Sequence, residues 1–236
     1  MRLPDARLLF LSAIAVVTLA AGCASAPAAR APVSPPVDPP SSPEWTQDMA
    51  RFDAEDAAHA PPAHPIVFTG SSSIRLWTSL AADFPGRPLL NRGFGGSQLR
   101  DAVHYADRLA IRYRPRMVVV YAGDNDIDAG RTAQQVHSDF VALIARLRKD
   151  LPDTPIVYLS IKPSPLRIAQ LPTQREANAL IAAEAKKWRR VEFVDISTPM
   201  LDANGQPRAE LFMPDRLHMN AEGYAVWRKV VAPYLD

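Results

Sequence analysis

Four short patches of this 236-residue chain carry the side chains that acyl transfer to water requires. Gly70-Ser71-Ser72-Ser73 offers hydroxyl nucleophiles. Asn91-Arg92-Gly93-Phe94-Gly95-Gly96 offers backbone N–H groups that glycine leaves open to close approach. Gly123-Asp124-Asn125-Asp126 offers a side-chain amide. Asp215-Arg216-Leu217-His218 offers an imidazole with a carboxylate three residues before it. A serine activated by a base, a base oriented by an acid, and donors aimed at a developing oxyanion are the parts of a serine hydrolase.

Each patch has a plainer reading when taken alone. Ser and Gly are usual helix-start residues, so a serine run reads as a cap. It is not the G-x-S-x-G elbow, because the second Gly is absent. The glycines from Gly93 to Gly96 read equally as a tight strand-to-helix turn, and their spacing does not fit G-x-G-x-x-G. Asp124, Asp126 and Asp128 alternate as in a calcium loop, but such a loop wants Gly where Ala129 stands and an acid where Gln135 stands. On a turn, Asp215 can take the Nδ1–H of His218 and leave Nε2 to accept a serine proton. Asp195 is an alternative acid. His59, His64, His104 and His137 have no carboxylate placed in this way. No metal site emerges, and no cofactor is implied. His59 and His64 stand alone in a Pro-Ala stretch, and the single cysteine, Cys23, precedes the domain.

Something must bring these patches to one place. Apolar runs alternate with helical patterns along the chain. Ile66-Val67-Phe68, Pro88 to Asn91, Met117 to Tyr121, Ile156 to Ile161 and Val191 to Ile196 suit parallel strands covered on both faces. Gln98 to Tyr113, Ala133 to Leu147, Thr173 to Trp188 and Ala221 to Leu235 have helical spacing. Glu44 to Ala58 reads as an added helix with Trp45, Met49 and Phe52 on one side. This order predicts a parallel sheet sandwiched by helices. Ligands of such sheets bind at the carboxyl ends of the strands. The first three patches sit just after predicted strands, and the fourth follows the last strand by a loop. Short loops after the strands leave little material for a deep acyl tunnel. Ile161-Lys162-Pro163-Ser164-Pro165 reads as a rigid turn, or as one wall of the site.

The ends bound the setting. Residues 1–22 read as a signal peptide, with a basic start and an apolar run from Leu8 to Leu19. Leu19-Ala20-Ala21-Gly22-Cys23 resembles a bacterial lipoprotein box, which makes Cys23 the expected lipidation site. Residues 23–43 then read as a lipidated Cys and a Pro/Ala-rich disordered spacer. Residues 44–236 remain as one domain. The expected location is the cell envelope, with Ala24 resembling outer-membrane sorting if the host has two membranes. The expected partners are a small-molecule or carbohydrate ester and, through the lipid anchor, a membrane. The net charge of +2 implies no basic face for nucleic acid. No obligate protein partner is inferred.

In this order the four patches resemble the SGNH hydrolase superfamily, the GDSL esterases and lipases, over Ile66 to Tyr234. The resemblance implies a flavodoxin-like α/β/α sandwich with a mainly parallel five-stranded sheet. It implies Ser72 as nucleophile, His218 as base, Asp215 as its acid, and Ser72, Gly96 and Asn125 as oxyanion donors. Asn220 completes the last block. Ser71 stands where the family has Asp, so three serines run together, and Arg216 stands where it has Gly. Ser71, Ser73 and Arg216 are therefore candidates for substrate contact. The implied activity is hydrolysis of carboxylic esters, with short acyl or acetyl groups expected. A lipid acylhydrolase of lysophospholipase or thioesterase type is an alternative. So is an envelope lipoprotein that binds without catalysis.

Overall fold

A computed structural model describes residues 35–235. Leader, lipobox and Cys23 lie outside these residues. Five strands form one sheet in the order β2-β1-β3-β4-β5. They are β1 (Ile66–Gly70), β2 (Leu89–Gly93), β3 (Met117–Tyr121), β4 (Ile156–Leu159) and β5 (Val191–Val194). All four pairings are parallel. This is the predicted α/β architecture.

Alternation along the strands divides the core. Val67, Val118, Val120, Ile156 and Tyr158 face α4 (Leu99–His104), α7 (Ala133–Asp150) and α8 (Leu171–Ala185), where they meet Leu99, Phe140, Ile144 and Ile181. Ile66, Phe68, Val119, Tyr121 and Leu159 face the opposite layer. That layer holds the short helices α2 (Ser72–Arg75) and α3 (Leu80–Asp83), and α9 (Ala221–Val231). An aromatic cluster fills it, with Trp227 at 4.8 Å from Tyr121 and 5.8 Å from Trp77 between ring centroids.

Some features differ from the sequence reading. The stretch from Gln98 to Tyr113 is three pieces: α4, α5 (Ala106–Leu109) and a 3-10 turn over 111–113. Leu99, Ala102, Ala106 and Leu109 are nonetheless all buried. Apolar periodicity reports which face is covered, and it survives a break in the helix axis. The connections after β4 (160–170) and β5 (195–220) are also longer than expected. They lie down on the domain, burying Ile161, Pro163 and Ser164 in one and Ile196, Met200 and Leu211 in the other.

α1 (Trp45–Ala58) buries Trp45, Met49 and Phe52, as its pattern predicts. The residues just before it are fixed as well, although they read as spacer. Ser41 donates from N and Oγ to Asp101, both at 2.6 Å, and Arg131 holds Asp38 at 2.8 Å. The ordered domain therefore begins before Glu44.

Register places the first three patches together. Gly70 pairs with Gly93 on one side and Tyr121 on the other. The chain leaves β1 and β3 in opposite directions along the sheet, which opens a crevice between them. Ser72 and Asn125 lie on either side of it.

Candidate active site

Gly70 ends β1 at φ +127, and a Cβ there would overlap the Tyr121 carbonyl, so the turn requires glycine. The chain then enters α2. Ser71 is turned inward and fully buried, its N–H donating to the Tyr121 carbonyl at 3.0 Å. Ser73 is also buried, and its carbonyl accepts from the Tyr224 hydroxyl at 3.0 Å. Only Ser72 of the three is partly exposed. Its Oγ lies 3.0 Å from His218 Nε2. Successive side chains at a helix start point in different directions, so three serines in a row do not share one environment. Ser71 and Ser73, expected as substrate contacts, do not face solvent.

The imidazole stands on a loop closed by Met213 N–H to the His218 carbonyl at 2.7 Å. Asp215 builds the loop and orients the ring. Its Oδ1 accepts the N–H groups of Leu217 and His218, both at 2.9 Å, and its Oδ2 lies 2.6 Å from His218 Nδ1. Desolvation opposes ionisation of Asp215, but these bonds outweigh it and draw the carboxyl down to about 2. An ionised Asp215 can only accept, so Nδ1 carries the proton and Nε2 presents its lone pair to Ser72. Arg216 is exposed at φ +61, in the left-handed region that suits glycine. Asn220 caps α9, accepting from Gly223 N–H at 3.1 Å, and so supports the loop from below. Asp195 is spent elsewhere, on the N–H groups of Ser197 and Thr198.

Gly96 and Asn125, the expected oxyanion donors, follow β2 and β3 at the same edge of the sheet. Gly96 adopts φ +85. Among the described residues nothing accepts from the N–H of Ser72 or Gly96. The Asn125 amide donates to the Ser97 carbonyl at 3.0 Å, and its Oδ1 accepts from Arg167 Nη1 at 3.1 Å. A guanidinium only donates, so the amide cannot be flipped, and its second N–H is fixed in direction. Phe94, between the glycines, is buried against Trp45 at 5.5 Å between centroids. α1 thus braces the glycine loop.

Asp124, Asp126 and Asp128, on the short helix α6 (Asp124–Asp128), diverge instead of forming a calcium loop. Asp124 meets Lys162 and Arg167, Asp128 meets Arg167, and Asp126 caps α4 by accepting Leu99 N–H at 3.0 Å. Sequence reasoning passed over Arg167 and took Lys162 only as part of a rigid turn or a wall of the site, because a charge flanked by prolines and apolar residues shows no role until its partners are seen. Three of the other four histidines are engaged away from Ser72, His64 with the Arg114 carbonyl, His104 with the Asp38 carbonyl and His137 with Glu184, and His59 is exposed just after α1.

Burial, aided by Asp139 and Asp124 and opposed by Leu99 N–H, lifts the Asp126 carboxyl to about 7. The unfolded chain releases this proton near pH ~4. Between that pH and about 7 the folded protein binds more protons than the unfolded one, so stability falls as pH rises through the window. Asp126→Asn keeps an oxygen for Leu99 and stays neutral. It should flatten this dependence and melt above wild type at pH ~8. Melting curves at acid and alkaline pH check it, and an unchanged slope rejects it.

A sequence profile of the GDSL-like Lipase/Acylhydrolase family matches residues 56–226. Among solved structures, a proposed platelet activating factor from Streptococcus pneumonia is 24% identical, with a TM-score of 0.73 over 82% of this chain and 93% of that one. A GDSL-like lipase from Bacteroides thetaiotaomicron is 20% identical, with a TM-score of 0.67 over 79% and 96%. A carbohydrate esterase family 3 protein from Talaromyces cellulolyticus is 16% identical, with a TM-score of 0.57 over 72% and 95%. A comparison with curated proteins finds no match. At these identities the solved structures speak for the fold. The profile, spanning most of the chain and all four patches, shows that this protein belongs to the GDSL-like lipase/acylhydrolase family.

Proposed function

We propose that the protein is a serine esterase acting on carboxylic esters through an acyl-enzyme. The observation that carries this reading is the relay from Asp215 Oδ2 to His218 Nδ1 at 2.6 Å and from His218 Nε2 to Ser72 Oγ at 3.0 Å. His218 takes the Ser72 proton as Oγ bonds to the ester carbonyl carbon. The carbonyl pair moves onto oxygen, where the N–H groups of Ser72, Gly96 and Asn125 receive it. Collapse expels the alcohol, which takes the proton back from His218. Water then attacks the acyl-enzyme by the same route and releases the acid.

The acyl group in this reading is short, acetyl first, on a carbohydrate or another envelope molecule. Ser72 and His218 are partly open to solvent. Much of the long connections after β4 and β5 is used in packing, with Ile161, Pro163, Ile196, Met200 and Leu211 buried. The fold shared with the carbohydrate esterase from Talaromyces cellulolyticus is compatible with such a substrate. A series of p-nitrophenyl esters from acetate to palmitate tests this. Activity should fall with chain length, and a maximum at long chains rejects the short-acyl reading.

Cys23 anchors the chain to an envelope membrane in this proposal. Among the described residues no helix is long and apolar enough to cross a membrane. Wild-type protein should partition into detergent and Cys23→Ser into water. A wild-type chain found in the aqueous phase rejects the anchor.

A further inference from the structure

Lys162 is the one lysine among the largest fully buried side chains of the described residues, with 1% of its surface exposed. Its ammonium lies 3.5 Å from Asp124 Oδ2 and 3.1 Å from the Leu217 carbonyl, with the Phe212 ring centroid 5.9 Å away. The two polar contacts belong to different patches. Asp124 directly precedes the Asn125 amide, and its Oδ1 accepts the Asn125 backbone N–H at 3.0 Å. Leu217 directly precedes His218.

The contact with Leu217 fixes one peptide plane from both sides. The peptide joining Leu217 to His218 has its N–H held by Asp215 Oδ1 at 2.9 Å and its carbonyl held by Lys162 at 3.1 Å. With both ends held, the plane cannot rotate, and neither can the Cα that carries the imidazole. Burying an ammonium is expensive, and an apolar side chain of similar size often serves stability as well or better. Stability alone therefore does not account for a lysine here.

We propose that Lys162 is a positioning residue that ties the base loop to the oxyanion asparagine, so that His218 and Asn125 are held in one frame. Lys162 itself touches neither Ser72 nor the imidazole. Desolvation and the neighbouring Arg167 lower its proton affinity, while Asp124 and, to a lesser extent, Asp215 oppose that fall. These carboxylates favour the charged form that the two contacts require. The inference rests on the esterase reading, but one of its readouts does not.

The test compares Lys162→Met with the double variant Lys162→Met/Asp124→Asn. In the single variant kcat should fall about a hundredfold with KM nearly unchanged, the scale expected when a reacting group is misplaced by about an ångström. The low-field proton resonance of the short His218 Nδ1–H···Asp215 bond should broaden or vanish. In the single variant Asp124 keeps only Arg167 as its partner, at 3.3 Å, and the double variant removes the charge, so its melting temperature should recover in part. Its kcat and its proton resonance should not, because the Leu217 carbonyl still lacks its donor. Recovery of kcat together with melting temperature would show a structural ion pair only and overturn the proposal. Wild-type kcat with an intact resonance in Lys162→Met does the same. If the single variant does not fold, the double variant carries the test. If the wild type hydrolyses no ester, the esterase reading fails, and the proton resonance still reports whether Lys162 fixes the loop.

Discussion

Ser72→Ala should abolish ester hydrolysis, lowering kcat by roughly a million-fold, while the protein folds and melts as wild type. Both halves have a physical basis. The Ser72 hydroxyl is the one that meets His218 Nε2, at 3.0 Å, so nothing replaces it as nucleophile. It is also partly exposed at the first position of a helix, so its removal opens no cavity. Ser71→Ala and Ser73→Ala are the controls and should keep most activity. The Ser71 hydroxyl is buried with no hydrogen-bond partner among the described residues, so its loss should leave stability unchanged or improved. A fluorophosphonate should label Ser72 alone, read by peptide mass. Turnover retained in Ser72→Ala and lost in Ser73→Ala would move the nucleophile and sink the assignment.

Asp215→Asn should lower kcat by roughly ten-thousand-fold, with the loop intact. Asparagine keeps an oxygen for the N–H groups of Leu217 and His218, so the turn survives. It also places an NH2 group against Nδ1, which then accepts instead of donating. The proton moves to Nε2, and Ser72 faces a donor where it needs a base. The pH behaviour follows from the Asp215 carboxyl lying near 2. A carboxyl lowered in the folded state lends stability above its unfolded value of ~3.9, and this is lost as pH falls through about 2. Any acid limb of wild-type activity above pH ~4 therefore belongs to another group. Rates of the variant between pH ~5 and ~9 check the first point. A loss of less than about tenfold would remove Asp215 from the relay.

The sequence by itself determined the layers of the fold and the composition of the candidate site. Five apolar runs of strand length, each followed by a turn, leave a parallel sheet as the way to bury them. Ser72, Gly96, Asn125, Asp215 and His218 were named from residue type, spacing and block resemblance, and the structure brings them to one edge. These features are legible because they are local: short apolar runs, glycines just after strands, an acid three residues from an imidazole.

What the tertiary structure decided depends on pairs distant in sequence. Ser72 and His218 are 146 residues apart, and the choice among three serines is settled by which one the helix start turns toward the imidazole. Lys162 and Leu217 are 55 residues apart, and no local pattern marks a lysine whose counter-charge and carbonyl come from two other loops. Ser41 and Asp101 are 60 apart, so a residue that reads as spacer is fixed to the domain. Desolvation belongs to this class too. Nothing along the chain marks Asp126 among its neighbours, yet its carboxyl is lifted to about 7, because burial depends on what covers a group. Sequence fixes which side chains are present and which face is apolar, whereas the fold fixes which of them meet and how dry the meeting place is.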